Sequence, residues 1–379
     1  MDDNFGIYIH IPFCKKKCPY CDFYSVVRLK YADDFVKALV HEFRIKKILK
    51  NCKKPKTIYL GGGTPSVLNS KHLSKIIEAL HKYYDLSHLE EFSIEANPDD
   101  VTDNNVKLWL DAGINRVSLG IQSFVEEELT FLGRRNSVQD NIRAIEILKS
   151  YNVQNISVDL IYGIPGFGDY GIDVFVKQVL KYDLPHLSAY HLGIEDNTVF
   201  GVMKRRGVFK EISQTESEKQ YLFLIRQLKS IGFEHYEISN FAKQGKYAIH
   251  NTGYWKGMLY VGFGPSAHSF DGKKRCENIS NLYKYINYVL QSKNEFCFCE
   301  DINTALAYND YILVSFRTMW GVDLDKIKSF GSLFYDNFIK IMASKYEHSD
   351  LIEKTSTGYR LTEKGMFVSD GIIADFFFI

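Results

Sequence analysis

The sequence predicts an α/β protein in which repeated βα units build a parallel sheet, curved or closed into a partial barrel. Three observations predict it. Short β-rich runs alternate with amphipathic helical stretches over the first two-thirds of the chain. There are six such runs, most of them stopped by Gly or Pro. Right-handed crossovers between parallel strands then favour a curved sheet, with function at the strand C-terminal ends.

The elements follow in order. Residues 7–11 form a strand pattern ended by Pro12, and residues 57–60 a second ended by Gly61, Gly62 and Gly63. Residues 92–95 end near Pro98; residues 116–120 make a fourth strand. Residues 156–161 end at Gly163 and Pro165, and residues 186–190 make the sixth strand. Between them, Val138, Ile142, Ile145 and Leu148 recur at spacings of three and four, one buried helix face. Thr102 is placed to cap a helix carrying Val106, Trp109 and Leu110 on one side. Tyr221, Ile225, Leu228 and Ile231 mark another helix, followed by an additional strand over 233–238. The texture changes near residue 300. Helical stretches over 304–318 and 333–346 precede a hairpin around Thr357 and Gly358 and a final helix. This predicts two domains, residues 1–299 and a small α+β, winged-helix-like domain over 300–379. The terminal Phe376, Phe377, Phe378 and Ile379 read as a helix end packing on the core.

The chain has 379 residues, 45% hydrophobic and 25% charged, the balance of an ordinary globular protein. Lysine plus arginine exceed aspartate plus glutamate by 47 − 46 = 1. That argues against a broad electrostatic footprint for nucleic acid or anionic membrane, and no nucleic-acid partner is expected. No run approaches the roughly 18 apolar residues of a membrane span. The start, Met1-Asp2-Asp3-Asn4, is acidic and unlike a signal peptide, so a cytoplasmic location is expected.

Seven cysteines carry more information: Cys14, Cys18, Cys21, Cys52, Cys276, Cys297 and Cys299. An odd number in a long chain of this kind does not read as a disulfide framework. Cys14, Cys18 and Cys21 form C-x3-C-x2-C directly after the first strand. Three thiolates so spaced can hold three irons of a cubane cluster, and Asp22 and Phe23 supply no fourth. A zinc site completed by His10 or His41 is the alternative metal reading. Cys297 and Cys299 flank Phe298 on a strand-like segment and share a face. They read as small buried hydrophobes, with redox or haem contact as the other reading. Cys52 and Cys276 show no partner in the sequence and read as structural.

C-x3-C-x2-C in a first βα loop resembles the signature of radical S-adenosylmethionine proteins. The resemblance implies a partial (β/α)6 barrel and a [4Fe-4S] cluster. In that superfamily the open iron chelates S-adenosylmethionine, and an electron from the cluster cleaves it to a 5′-deoxyadenosyl radical. More of the chain fits one branch. Tyr8 to Phe13, Gly61 to Pro65, Ser93 to Pro98, Gly120 to Phe124 and Asp159 to Pro165 occur in that order. Together they resemble the oxygen-independent coproporphyrinogen III oxidase family and its HemW-type haem chaperones, over nearly the whole chain. Each position also has a physical reading. Glycines 61–63 let backbone approach a ligand. Glu95 or Asp159 can accept hydrogen bonds from ribose hydroxyls, Gln122 can donate and accept, and Arg134 can pair with a carboxylate. The resemblance implies that Tyr8, Tyr20, Gly62, Gly63, Thr64, Glu95, Gln122, Arg134 and Asp159 contact S-adenosylmethionine, with Cys14, Cys18 and Cys21 as metal ligands.

Two departures separate the chain from the oxidases. They carry a cysteine where this chain has Phe23, and an extension before the first strand. His250-Asn251-Thr252-Gly253-Tyr254-Trp255 resembles instead the H-N-x-x-Y-W motif of the haem chaperones. His250 is therefore the haem-ligand candidate, and His268 a weaker one. The resemblance implies haem as ligand, and as partners apo-haemoproteins, among them membrane respiratory enzymes, and an electron donor. A client would account for peripheral membrane association. The alternative is radical oxidative decarboxylation of a porphyrinogen.

Overall fold

The structure, a computed structural model, describes residues 5–46, 52 and 54–379. Met1–Asn4, read above for a signal peptide, lie outside the described residues. All six predicted strands are present: β1 (Phe5–Ile11), β2 (Pro55–Gly62), β3 (Glu91–Ala96), β4 (Arg116–Gln122), β5 (Asn155–Tyr162) and β6 (His186–His191). They pair in that order and all in parallel. Their burial is nearly continuous, as expected where helices cover the outer face and side chains fill the inner one. Six more strands extend both ends: β7 (Phe233–Glu237), β8 (Asn240–Lys243), β9 (Leu259–Phe263), β10 (His268–Phe270), β11 (Lys274–Asn278) and β12 (Cys297–Asp301). The twelve-stranded order is β12-β11-β10-β9-β1-β2-β3-β4-β5-β6-β8-β7, with β12 and β7 as the two edges.

Crossover helices follow each strand, and their starts are chemically specified. Asn69 caps Ser70–Tyr83 by accepting from the His72 amide. Thr102 caps Asp103–Asp111 as predicted. Ser137 and Asp140 form a reciprocal capping box on Val138–Ser150. Two details differ from the periodicity reading. Leu110 is exposed, and only Val106 and Trp109 of its helix are buried. On Val138–Ser150 the buried face includes Asn141, whose amide donates to the Ser123 carbonyl at 2.8 Å and accepts from Asn136 at 2.7 Å. A polar residue with both needs met sits in the core without penalty, which apolar periodicity cannot foresee.

From Thr304 the chain forms a helical layer with a small sheet: β13 (Val322–Asp323), β14 (Ile352–Lys354) and β15 (Gly358–Leu361), in the order β13-β15-β14. The predicted helices are Thr304–Ser315 and Ser332–Ile341; Leu324–Phe330 between them was not read from the sequence. Residue 299 lies inside β12. The Ile238 amide donates to Arg317 O at 2.8 Å and the Met319 amide to Tyr236 O at 3.0 Å, tying this layer to the large sheet. Phe376 is fully buried among Phe316, Phe338 and Tyr346, while Ile379 is in solvent.

Candidate functional site

The C-terminal ends of β1 to β6, with the loops that follow them, line one cleft of about 380 Å3. The loop after β1 brings Cys14, Cys18, Tyr20 and Cys21; β2 brings Gly62, Gly63 and Thr64; β3 brings Glu95 and Asn97. The end of β4 supplies Gly120 and Gln122, with Arg134 beyond it; β5 supplies Asp159, and β6 leads into Tyr190 and His191. Residues as far apart along the chain as Cys14 and His191 thus share one rim, which is what parallel βα winding does.

The cysteine loop is held from two sides. The Cys14 amide donates to the Val26 carbonyl at 3.1 Å, and that of Cys21 to the Cys18 carbonyl at 3.2 Å. Two sulfurs accept hydrogen bonds. Thr64 Oγ1 donates to Cys14 Sγ at 3.4 Å, and Arg134 Nη1 donates to Cys18 Sγ at 3.3 Å. Burial, with the neighbouring thiols adding to it, pushes the Cys21 thiol up to about 11. Three soft sulfur ligands with donors aimed at two of them, and no fourth thiol on the cleft wall, fit an iron–sulfur cluster with one iron left open. Neither His10 nor His41, the histidines of the zinc alternative, lines the cleft. The His10 ring is bound at both nitrogens, Nε2 donating to the Tyr24 carbonyl at 2.8 Å and Nδ1 accepting from Tyr8 at 3.1 Å. His41 is half-buried on Ala32–Ile45 and bonds Ser292 at 2.9 Å.

The glycines serve packing as well as access. Gly62 has φ 111°, and a Cβ there would lie 2.6 Å from the His10 ring. A Cβ on Gly63 would meet the Phe13 carbonyl oxygen at 2.7 Å. The Gly62 amide donates to Glu95 Oε2 at 3.0 Å and Tyr59 donates to Oε1 at 2.9 Å, so Glu95 is fixed across β2 and β3. Gln122 adopts φ 70° just after the β4–β5 register shifts, a left-handed turn that is uncommon for a side-chain-bearing residue.

Glu95 and Asp159 face each other electrostatically. Burial raises Glu95 above the usual carboxylate range, against its two hydrogen bonds. Burial, then the Glu95 charge, raises Asp159 to about 7. Asp159 therefore keeps a proton to higher pH than an exposed carboxylate does. A ligand that presents hydroxyl or ammonium donors would release that proton. The folded value lies above the ordinary 3.8, so this group favours folding fully below about pH 4 and loses that contribution as pH rises through 7. Water in the open cleft screens part of it, leaving a cost on the order of 2 kcal/mol at pH 8. Asp159→Asn is expected to raise the melting temperature of the ligand-free protein clearly at pH 8 and only slightly at pH 4. Equal shifts at both pH values would mean that Asp159 is ionised throughout.

Among the described residues Arg134 pairs with no carboxylate. Its Nη2 donates to Asn97 Oδ1 at 2.5 Å and to the Gly120 carbonyl at 2.6 Å; Nε reaches Asn136 at 3.2 Å, and Nη1 reaches Tyr20 at 3.4 Å besides Cys18. It thereby joins the loops after β1, β3 and β4. A second lock lies beside it. The buried Asp100 receives Lys15 at 2.5 Å, Arg135 at 2.7 Å and Ser66 at 2.8 Å. Asn97, Tyr59 and Asp100 were not singled out from the sequence; only their places beside motif residues hinted at them.

Three predicted residues lie off the cleft wall. Tyr8 turns its hydroxyl to His10. His250 is 1% exposed, with Nδ1 bonded to Thr57 at 2.7 Å and Nε2 to Tyr254 at 2.8 Å. Its ring stacks on Tyr59 at 5.2 Å, and burial lowers it to about 3. His268 is exposed on β10. The imidazole on the cleft wall is instead His191, exposed at the end of β6, with its ring against Tyr162.

A model of the Radical SAM superfamily matches residues 8–179. Heme chaperone HemW of Lactococcus lactis is 33% identical over 364 residues, 93% of this chain and 94% of the relative. The chain belongs to the HemW group of the radical S-adenosylmethionine proteins. Heme chaperone HemW of Bacillus subtilis is 30% identical over 372 residues, covering 97% of this chain and 98% of the relative. The solved coproporphyrinogen III oxidase (HemN) of Escherichia coli superposes with a TM-score of 0.84 at 21% identity, over 98% of this chain and 90% of that one. The HemN likeness extends the shared fold through the C-terminal layer. Among the described residues no helix is long and apolar enough to cross a membrane.

Proposed function

We propose that this HemW-group chain is a haem chaperone whose six-strand cleft binds a [4Fe-4S] cluster through Cys14, Cys18 and Cys21 and S-adenosylmethionine beside it. When bound, the cluster supplies one electron and S-adenosylmethionine a cleavable sulfonium. The chain's own residues do the positioning. Thr64 and Arg134 hydrogen-bond the sulfurs that face the ligand. Gly62 and Gly63 offer backbone groups to an amino-acid moiety. Glu95 and Asp159 accept from ribose hydroxyls, and Gln122 fixes the remaining polar edge. Tyr20 backs Arg134. Haem and delivery to apo-haemoproteins, with an electron donor upstream, complete the reading. Residues 1–299 would carry the cofactors and 300–379 would be a small appended domain.

The observation that carries the chaperone over the oxidase reading is Phe23. It stands on the cleft wall, 68% exposed, where the oxidases place a further thiol. For haem iron, the geometry favours His191 over His250, because His191 borders the cleft and both His250 nitrogens are occupied. The test is haem titration of the anaerobically reconstituted chain, with product analysis after adding coproporphyrinogen and S-adenosylmethionine. Stoichiometric haem binding without decarboxylated product is expected; turnover would make the protein an oxidase. His191→Ala is expected to weaken haem binding about tenfold or more, roughly the worth of one coordinate contact. His250→Ala is expected to lower stability by about 2 kcal/mol and leave haem affinity nearly unchanged. The reverse pattern would return the ligand role to His250.

A further inference from the structure

Cys276, Cys297 and Cys299 meet at the far edge of the large sheet, away from the cleft. Antiparallel register places Cys276 opposite Cys299 and Asn278 opposite Cys297. Residues two apart on a strand share a face, so all three sulfurs lie on one side of β11 and β12. Cys276 and Cys299 are joined by a disulfide, Cys297 is free, and the three sulfurs lie within 4.8 Å of one another. The sequence reading of Cys276 as unpartnered, and of Cys299 as a buried hydrophobe, is therefore corrected. Cross-strand register joins residues 23 apart, and Cys299 is exposed. Tetrahedral zinc with Zn–S bonds of about 2.3 Å needs sulfurs about 3.8 Å apart, a spacing this face reaches with small side-chain adjustments.

We propose that Cys276, Cys297 and Cys299 form a redox-gated soft-metal site, which binds a d10 ion such as zinc through three thiolates when reduced and loses it when Cys276 and Cys299 pair. Two electrons and two protons open the disulfide to two thiols. Three thiols then bind one Zn2+ and release three protons. Oxidation reverses the sequence: two thiolates give up two electrons to an external disulfide, which leaves as two thiolates that take protons from water, and the metal departs. Soft thiolates select zinc or cuprous ion over magnesium or calcium. Among the described residues no fourth Cys, His, Asp or Glu joins the three, so the fourth position is left to water or an external thiol.

The full chain is first loaded with its iron–sulfur cluster, so that Cys14, Cys18 and Cys21 do not take up the probe. It is then reduced with a phosphine, which becomes the phosphine oxide. Zinc is added, excess is removed, and zinc and iron are counted. One zinc per chain is expected in the reduced protein and none in the oxidised protein, with iron the same in both. Cys297→Ala is expected to weaken zinc binding by about 100-fold or more while retaining iron. Adding an aromatic disulfide should release the zinc and leave Cys276 linked to Cys299 by peptide mapping. If Cys297→Ala does not fold, Cys299→Ser, at an exposed edge position, replaces it with the same expectation. No zinc in the reduced protein, or zinc held equally by the variant, would overturn the proposal.

Discussion

Cys18→Ser is expected to strip the anaerobically reconstituted protein of its cluster, dropping iron from roughly four per chain to below one. Serine is a harder, rarely deprotonated donor, and the site offers only three thiolates, so no protein ligand is in reserve. The fold should survive. Cys18 is only partly buried, and its sulfur receives one long hydrogen bond at 3.3 Å, which a hydroxyl can partly replace. Circular dichroism and melting temperature of the metal-free variant should therefore stay close to wild type. Iron and sulfide analysis after desalting checks the first half of the expectation. Retention of four irons by a folded variant would remove Cys18 from the ligand set.

Arg134→Leu should cost about 3 kcal/mol or more of stability and lower cluster retention as well. The guanidinium bonds Cys18, Tyr20, Asn97, Gly120 and Asn136, and so closes the loops after three strands onto one another. Hydrogen bonds from a charged donor contribute about 1.5–3 kcal/mol each and are not additive, but leaving Asn97 and the Gly120 carbonyl without a donor in a confined site sets a lower bound near one full desolvation penalty. Arg134→Lys should recover only part of the loss, because an ammonium cannot reach five acceptors spread around a planar fork. Urea unfolding of the metal-free proteins separates the two effects: the midpoint should fall with the slope unchanged. A wild-type midpoint for Arg134→Leu would show that the loops are held by other contacts, the Asp100 cluster first among them.

The framework was legible because its signals are local. Each of the six barrel strands is a β-rich run with a Gly or Pro nearby, and the Thr102 cap is a side chain beside its own helix. Strand ends fix the rim, so Glu95, Gln122 and Asp159 could be placed there from position alone, and the cleft contains all three. What escaped depends on partners distant in sequence. Asn97 was visible as a motif letter, yet its purpose is to receive Arg134, 37 residues away. His250 looked like a ligand because it stands beside aromatics; Thr57, 193 residues earlier, occupies one of its nitrogens. Cys276 finds Cys299 only through strand register. Leu324–Phe330 is seven residues long, too short for two turns of periodicity to stand out against its neighbours.

Whether one cleft holds an open-iron cluster and S-adenosylmethionine together is read from low-temperature electron paramagnetic resonance of the reduced, reconstituted chain, recorded with and without S-adenosylmethionine. The spectrum is expected to change when S-adenosylmethionine is added, and Glu95→Gln with Asp159→Asn should require a higher concentration to produce the same change. An identical spectrum at saturating S-adenosylmethionine, in protein with a full complement of iron, would contradict it.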